Sequence, residues 1–312
     1  MSTSLMVLIV LALIAVALFK NISIVYTTLK NGGVASLVVV SSWILLISTV
    51  CAIVSPYLQN MLLTDIPKLK EDPTSFTLMV FKGAILVPLV LLLKQELASR
   101  KKFKSFTYSS FIGLAPLAIV NWYFGEQLTY WQWFATAFLI FVGIVFTAYK
   151  LRTEGQIDGT GLRDVIIFIS IILLGTSPAM TDNVVKSNDF SWFTSLLISN
   201  IAMFIAALFY SLTTKGHKEV KSYIVMAFTD PMCITAGIAW VLFEAVVLIV
   251  MFEYLPITVT ETARFSNLCV QLPLMSFIFI RKRSREQRLK EFKDDVFWVT
   301  LAAVPAFMLA YS

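Results

Sequence analysis

Along this chain, long runs without charge alternate with short polar breaks. About ten apolar runs fall near residues 4–19, 33–56, 74–93, 105–124, 128–149, 164–181, 190–212, 232–252, 256–280 and 296–311. A helix that crosses a bilayer needs about 20 apolar residues, within a range of about 17–25; eight of the runs meet that length, and those at 4–19 and 296–311 fall just short of it. They are continuously apolar rather than alternating at period two, which predicts helices and not barrel strands. Most breaks are short. "RTEGQIDGTGLRD", residues 152–164, is the clear Gly-rich polar linker and lies near the chain midpoint.

Five runs on either side of that linker predict an internal duplication. The expected division is a first five-helix repeat over 1–152, a linker over 153–163 and a second repeat over 164–312. An odd number of spans per half turns the second half over, which is the inverted-repeat plan of many transporters. The two halves also share a local pattern. "GLAPLAIVNWYFGEQL" in the fourth run and "CVQLPLMSFIFIRKRSREQR" in the ninth both carry Pro-Leu (Pro116-Leu117 and Pro273-Leu274). Both then reach Glu-Gln, at Glu126-Gln127 and Glu286-Gln287. The fold class expected is therefore an all-α integral membrane protein of about ten helices in two inverted five-helix repeats.

Composition sharpens this. The chain is 58% hydrophobic and 14% charged, with a mean hydropathy of +0.82. Soluble domains are about 45–50% apolar and about 25% charged, so too little polarity is present to cover a water-facing surface. The net charge of +6 gathers in breaks after odd-numbered runs: "RKKFK" (100–104), "KGHKEVK" (215–221) and "RKRSREQRLKEFK" (281–293). By the positive-inside rule those breaks face the cytoplasm and both termini face outward; the expected location is the cell membrane. This reading of the basic runs is preferred over nucleic-acid binding. Cys51, Cys233 and Cys269 show no CxxC spacing and read as structural thiols rather than as a metal site or disulfide framework. His217, in a Lys-rich break, reads as solvated. The first run lacks a basic leader and a small-residue cleavage site, so it is expected to be a retained span.

One stretch carries a family resemblance. "GLAPLAIVNWYFGEQLTYWQWFATAFLIFVGIVF" (113–146) resembles the drug/metabolite transporter superfamily, in particular its EamA-like members. Their fourth span carries a proline, and a Gly-Glu pair opens the fifth. Gly125, Glu126, Leu128, Thr129, Gln132 and Gly143 match that pattern, while Ala135 stands where glycine is common. "IILLGTSPAMTDNVVK" (171–186) looks like the helix that opens the family's second repeat. "EYLPITVTETARFSNLCVQLPLMSF" (253–277) looks like its eighth-to-ninth helix corner. The opening helix of the first repeat lacks the family's Trp-Gly. The resemblance implies a ten-helix secondary transporter with no cofactor.

Pro116 and Pro273 are expected to bend their helices, a feature tolerated in a bilayer where neighbours or a cavity satisfy the freed carbonyl. Gly125 permits a tight turn, and Glu126 can cap the helix that follows and oppose its positive dipole end. Trp122, Tyr123, Trp131 and Trp133 surround this turn, as an interfacial belt or as a stacking wall for substrate.

Charges inside a span cost at least about 2.5–3.5 kcal/mol near its centre and mark functional sites by default. Lys82 interrupts the third run, Glu244 the eighth, and Arg264 follows Glu261 in the ninth. At 1.5 Å per residue all three lie about 12 Å deep. Two readings stand. In one, Lys82 and Arg264 attract an anionic group and Glu244 takes an amine or a proton, with Trp240 beside it and Asn267 and Gln271 adding hydrogen bonds. In the other, Lys82 and Glu244 form a structural ion pair, or Lys82 snorkels to the interface. Thr181, Asp182 and Asn183 break the end of the sixth run and can cap it or line the outer mouth.

The function expected is secondary active transport of small polar organic metabolites, with amino acids or other zwitterions slightly favoured. The expected partners are a small-molecule substrate and membrane lipid, with a proton or counter-substrate as drive, and a monomer or homodimer as assembly. The alternatives are a membrane-embedded enzyme acting on a lipid or isoprenoid, or a non-transporting scaffold. No HExxH, GxSxG or P-loop supports an enzyme, and no metal site is expected.

Overall fold

The structure, a computed structural model, describes residues 32–99, 110–153 and 176–263 without interruption, with scattered positions among 5–23, 170–174 and 289–308. Its helices, in chain order, begin with α1 (Gly33–Val54), α2 (Pro56–Glu71) and α3 (Pro73–Phe81). A π-helical segment, Lys82–Leu86, leads into α4 (Val87–Ser99). A 3-10 turn at Ser110–Gly113 opens α5 (Leu114–Tyr123), and α6 covers Tyr130–Thr153. Then come α7 (Ser177–Ser187), α8 (Trp192–Lys215), α9 (His217–Thr229) and α10 (Pro231–Ile249), which runs into a second π segment, Val250–Tyr254. A last helical stretch, α11, covers 257–263. The described residues contain no strand, and the chain is an all-helical protein with helices fit for a membrane.

Among the described residues, four helices are long and apolar enough to cross a bilayer: Gly33–Val54, Pro73–Leu93, Trp192–Lys215 and Pro231–Tyr254. They coincide with four of the ten apolar runs. Two further runs appear as shorter apolar helices, Phe111–Tyr123 and Tyr130–Phe146. The runs near 164–181, 256–280 and 296–311 lie largely outside the described residues, as does the linker from 154 onward. Two breaks expected as loops are helical instead, α2 and α9. α9 buries Val220 and Ala227 against the bundle and leaves its charges in the open, and α2 buries Asp65.

The chain forms two compact units, and each draws on both sides of the central linker. One comprises 23–99 and 177–255; the other comprises 1–22, 100–176 and 256–312. In the first, α1 and α8 pack antiparallel. Ser48 meets Asn200 toward one end, with Asn200 Nδ2 donating to Ser48 Oγ at 2.8 Å. Leu37 and Val40 meet Met203 and Ala207 further along.

Two glycines set the closeness of packing in this unit. A Cβ on Gly83 would stand 1.9 Å from the Ser199 carbonyl oxygen of α8. A Cβ on Gly237 of α10 would stand 2.3 Å from the Trp43 ring of α1. Both helices begin with Asp-Pro. Asp72 accepts from the amides of Thr74 and Ser75, and Asp230 from that of Met232. Proline at the first turn loses no helical bond, and the aspartate satisfies an orphan donor.

The other unit has its turn at 124–129. α5 ends in a Schellman motif: Gly125 N donates to Trp122 O and Glu126 N to Asn121 O. This geometry needs a left-handed residue, and Gly125 has φ +88°. α6 then starts with a reciprocal cap. Thr129 N donates to Gln132 Oε1 at 3.0 Å and Gln132 N to Thr129 Oγ1 at 3.3 Å, the pattern of a capping box.

Candidate functional site

The charged cluster of the unit formed by 23–99 and 177–255 begins with a proline. Pro88 has no N–H to give Ala84, and its ring would crowd that carbonyl in a regular helix. The helix widens just before it, with Val87 N reaching back to Lys82 O in an i→i−5 bond. The second π segment has the same relation to Pro256, since Leu255 N reaches Val250 O. Such bulges occur often at functional positions. Lys82 stands at the first residue of this one.

Lys82 is 4% exposed, and its Nζ donates to both carboxylate oxygens of Asp182 on α7, at 2.6 and 2.8 Å. Asp182 is itself 4% exposed and accepts a third bond, 3.1 Å, from Ser195 Oγ on α8. Ser199, one turn on, donates to the Met79 carbonyl at 3.1 Å. Glu244 of α10 is half-buried. A buried pair of this kind repays its desolvation only with good geometry and further hydrogen bonds, and both are present.

A second polar centre lies around α2. Asp65, 2% exposed, accepts from Ser191 N at 2.9 Å, Ser191 Oγ at 2.7 Å and Thr194 Oγ1 at 2.7 Å, with Lys68 Nζ at 3.4 Å. Burial pushes its carboxyl up. The bonds from Ser191 and Thr194, with the Lys68 charge, more than reverse this and hold it below its ordinary 3.8. Ser191 is the N-cap of α8, so Asp65 ties α2 to the start of that helix. Beside it is an open cleft of about 410 Å³ lined by Tyr57, Asp65, Lys68, Lys186, Phe190 and Glu253, among others. Its two lysines are engaged: Lys68 donates to the Asp189 carbonyl and Lys186 to the Met251 carbonyl.

The expected site residues are distributed as follows. Lys82 pairs with Asp182, not with Glu244. Asp182, expected as a cap or mouth residue, is a buried member of α7. Trp240 packs among Val40, Ile44, Leu91, Met203 and Ala207 at 7% exposure, so its ring belongs to the apolar core. Arg264, Asn267, Gln271 and Pro273 lie outside the described residues.

In the other unit, Pro116 sits in α5. Glu126 does not cap the helix that follows it, because the Thr129–Gln132 box already does. Its carboxylate instead accepts from Thr258 N (3.1 and 3.3 Å) and from the Thr258 hydroxyl, at the start of α11. Asn121 Nδ2 donates to that hydroxyl at 3.1 Å. Trp122, Tyr123, Trp131 and Trp133 are exposed around the turn.

Asp65 was not singled out in the sequence. Its signal was an aspartate three residues before a lysine in an amphipathic break, "LLTDIPKLK".

Comparison with protein-family models and with curated proteins finds no match. The resemblance to the drug/metabolite transporter superfamily therefore rests on the sequence motifs alone.

Proposed function

We propose that this chain is a secondary transporter that moves small polar organic metabolites across a membrane by alternating access. The observation that carries the reading is the Lys82–Asp182 pair, buried among apolar helices of bilayer-spanning length. Charges in such a place are costly, and they are typical of paths for ions and polar solutes. A zwitterion suits this pair chemically. Its carboxylate can replace Asp182 at Lys82 while its ammonium replaces Lys82 at Asp182, so no charge is left unpaired during exchange.

The proposed frame is ten spans in two inverted repeats, as in the drug/metabolite transporters, with basic odd-numbered loops cytoplasmic and both termini outside. Two features support a repeat. The third and eighth spans both start at Asp-Pro caps, and both press a glycine against the long helix of the opposite half.

Thermal unfolding of the purified protein against a panel of amino acids, organic anions and organic cations tests the reading. A ligand present at 100 times its Kd raises stability by about 2.7 kcal/mol. The expected result is a concentration-dependent rise with a zwitterion that is lost in Lys82→Met. Stabilisation by no member of the panel, with no flux into proteoliposomes, would remove the proposal.

A further inference from the structure

Of the two helices that fill polar breaks, α9 carries the basic excess. It holds Lys218 and Lys221 against Glu219, and Lys215 precedes it at the end of α8. α2 holds Lys68 and Lys70 against Asp65 and Glu71. The two sit at opposite ends of the antiparallel α1–α8 pair. Asp65 of α2 bonds the N-cap of α8, whereas α9 starts beyond the far end of α8, across Gly216.

α9 does not lie flat across its end of the bundle. Ala207 of α8 packs with Leu37 and Val40 of α1, and the rest of α8 runs about 12 Å further out to Lys215. The chain turns there, and by Ala227 it is back beside Val39 of α1. Trp43 Nε1 donates to the Ala227 carbonyl at 2.8 Å, and the Phe228 ring lies 5.3 Å from that of Trp43. α9 therefore climbs inward from the rim, to a level about 9 Å past the start of α1.

The side of α9 turned away from the bundle is graded along the same climb. At about 100° per residue, Lys218, Lys221, Ser222, Val225 and Thr229 form one stripe with Phe228 at its edge. Val220 and Ala227 occupy the opposite, buried side. The stripe is exposed throughout, with Val225 at 53% and Phe228 at 43%. It is basic at the rim and apolar at depth, and Lys221 and Phe228 stand about 10 Å apart along the axis. Glu219 lies off the stripe and accepts from the Tyr223 hydroxyl at 3.1 Å.

A soluble anion would satisfy the lysines and leave Val225 and Phe228 bare. A phospholipid offers a phosphate and then an acyl chain, in the order that the stripe requires. We propose that the outer face of α9 holds one anionic phospholipid, its headgroup on Lys218 and Lys221 and an acyl chain along Val225 and Phe228. In the orientation proposed above this is a lipid of the cytoplasmic leaflet, whose negative surface attracts basic segments beside a span. The bound lipid braces α9 against Trp43, the ring on which Gly237 of α10 also packs.

The test uses the purified full chain in detergent. Phosphatidylglycerol and phosphatidylcholine with identical chains are the probes, and native mass spectrometry counts the lipids retained. The wild type is expected to keep one phosphatidylglycerol at concentrations where phosphatidylcholine is lost. A lysine at a headgroup contributes about fivefold in binding, so Lys218→Gln combined with Lys221→Gln should weaken phosphatidylglycerol by about 25-fold. The same variant should leave phosphatidylcholine unchanged. Phe228→Ser should weaken both lipids alike, and Lys70→Gln, an exposed lysine of α2, should alter neither. The lysines replaced are all exposed, so the comparison does not hinge on a damaged core.

Equal retention of phosphatidylglycerol by the wild type and the double lysine variant would overturn the proposal. So would its displacement by an equal concentration of glycerol 3-phosphate, because the headgroup alone would then account for binding. No metabolite enters the measurement, so the transport reading stands or falls separately.

Discussion

Gly83 and the Ser199 carbonyl touch so closely that no side chain fits between them: a Cβ at 83 would lie 1.9 Å from that oxygen and 2.6 Å from its carbon. The obstacle is backbone, which cannot rotate aside as a side chain can. Gly83→Ala gains up to about 1 kcal/mol of helix propensity, but it must force the segment off α8 at a cost of about 1–3 kcal/mol or more. A lower unfolding temperature in detergent is expected, together with weakened pairing of the adjacent Lys82. Unchanged stability would mean that the two helices do not approach this closely.

Lys82 and Asp182 are expected to behave as a unit. Removing either partner leaves a buried charge, which costs about 3–5 kcal/mol. Lys82→Met and Asp182→Leu should each destabilise strongly, and the double variant should recover most of the loss. A double-mutant cycle by denaturant unfolding measures the coupling. Additive losses would show that the two side chains are independent.

Glu126 and Thr258 form a cap between segments distant in the chain. Replacing an N-cap acceptor costs about 0.5–2 kcal/mol, so Glu126→Ala and Thr258→Val are each expected to lower stability by that order. Together they should cost less than their sum, because both remove the bond between the Thr258 hydroxyl and the Glu126 carboxylate. The comparison variant is Gln132→Ala, which weakens the start of α6 and should add fully to either.

Asp65 gives a pH dependence of known sign. Its carboxyl is held below its unfolded value, about 3.9. It therefore stabilises the fold in full above that value and loses this contribution as pH falls through the lower, folded value. Asp65→Asn should cost about 1–3 kcal/mol near neutrality, since Ser191 and Thr194 lose a charged acceptor. The gap in unfolding temperature between wild type and variant should stay constant down to about pH 5 and close below pH 4. A gap that persists at lower pH would place the stabilisation elsewhere.

The apolar runs were legible because a bilayer span is long and its signal accumulates over some twenty residues. α2 and α9 were not, because amphipathic breaks that carry several charges look like loops when only charge is counted. Gly125 was readable as a turn, since its requirement is local. The partner of Glu126 was not, for it lies 132 residues away and nothing in the local pattern points there. Lys82 was legible as a buried charge, but its partner was misread. Depth along a span can be counted from its end, and by depth Glu244 was a fair match. Which way a side chain points around the helix depends on the path of the backbone, and a bulge beginning at Lys82 alters that path.

The bulge divides the third span into two halves with separate phases. An ordinary helix turns about 100° per residue, and one residue of surplus at 82–86 offsets all that follows by about that much. The first half presents Met79 and Lys82 to α8 and α7. The second half sends Leu91 into the core around Trp240. Deleting a single residue between Gly83 and Leu86 would merge the two phases and straighten the rod. It would also swing Leu91 out of that core or Lys82 away from Asp182. The span thus works as a crankshaft whose two throws are set by Pro88, and its length in residues carries as much information as their identity.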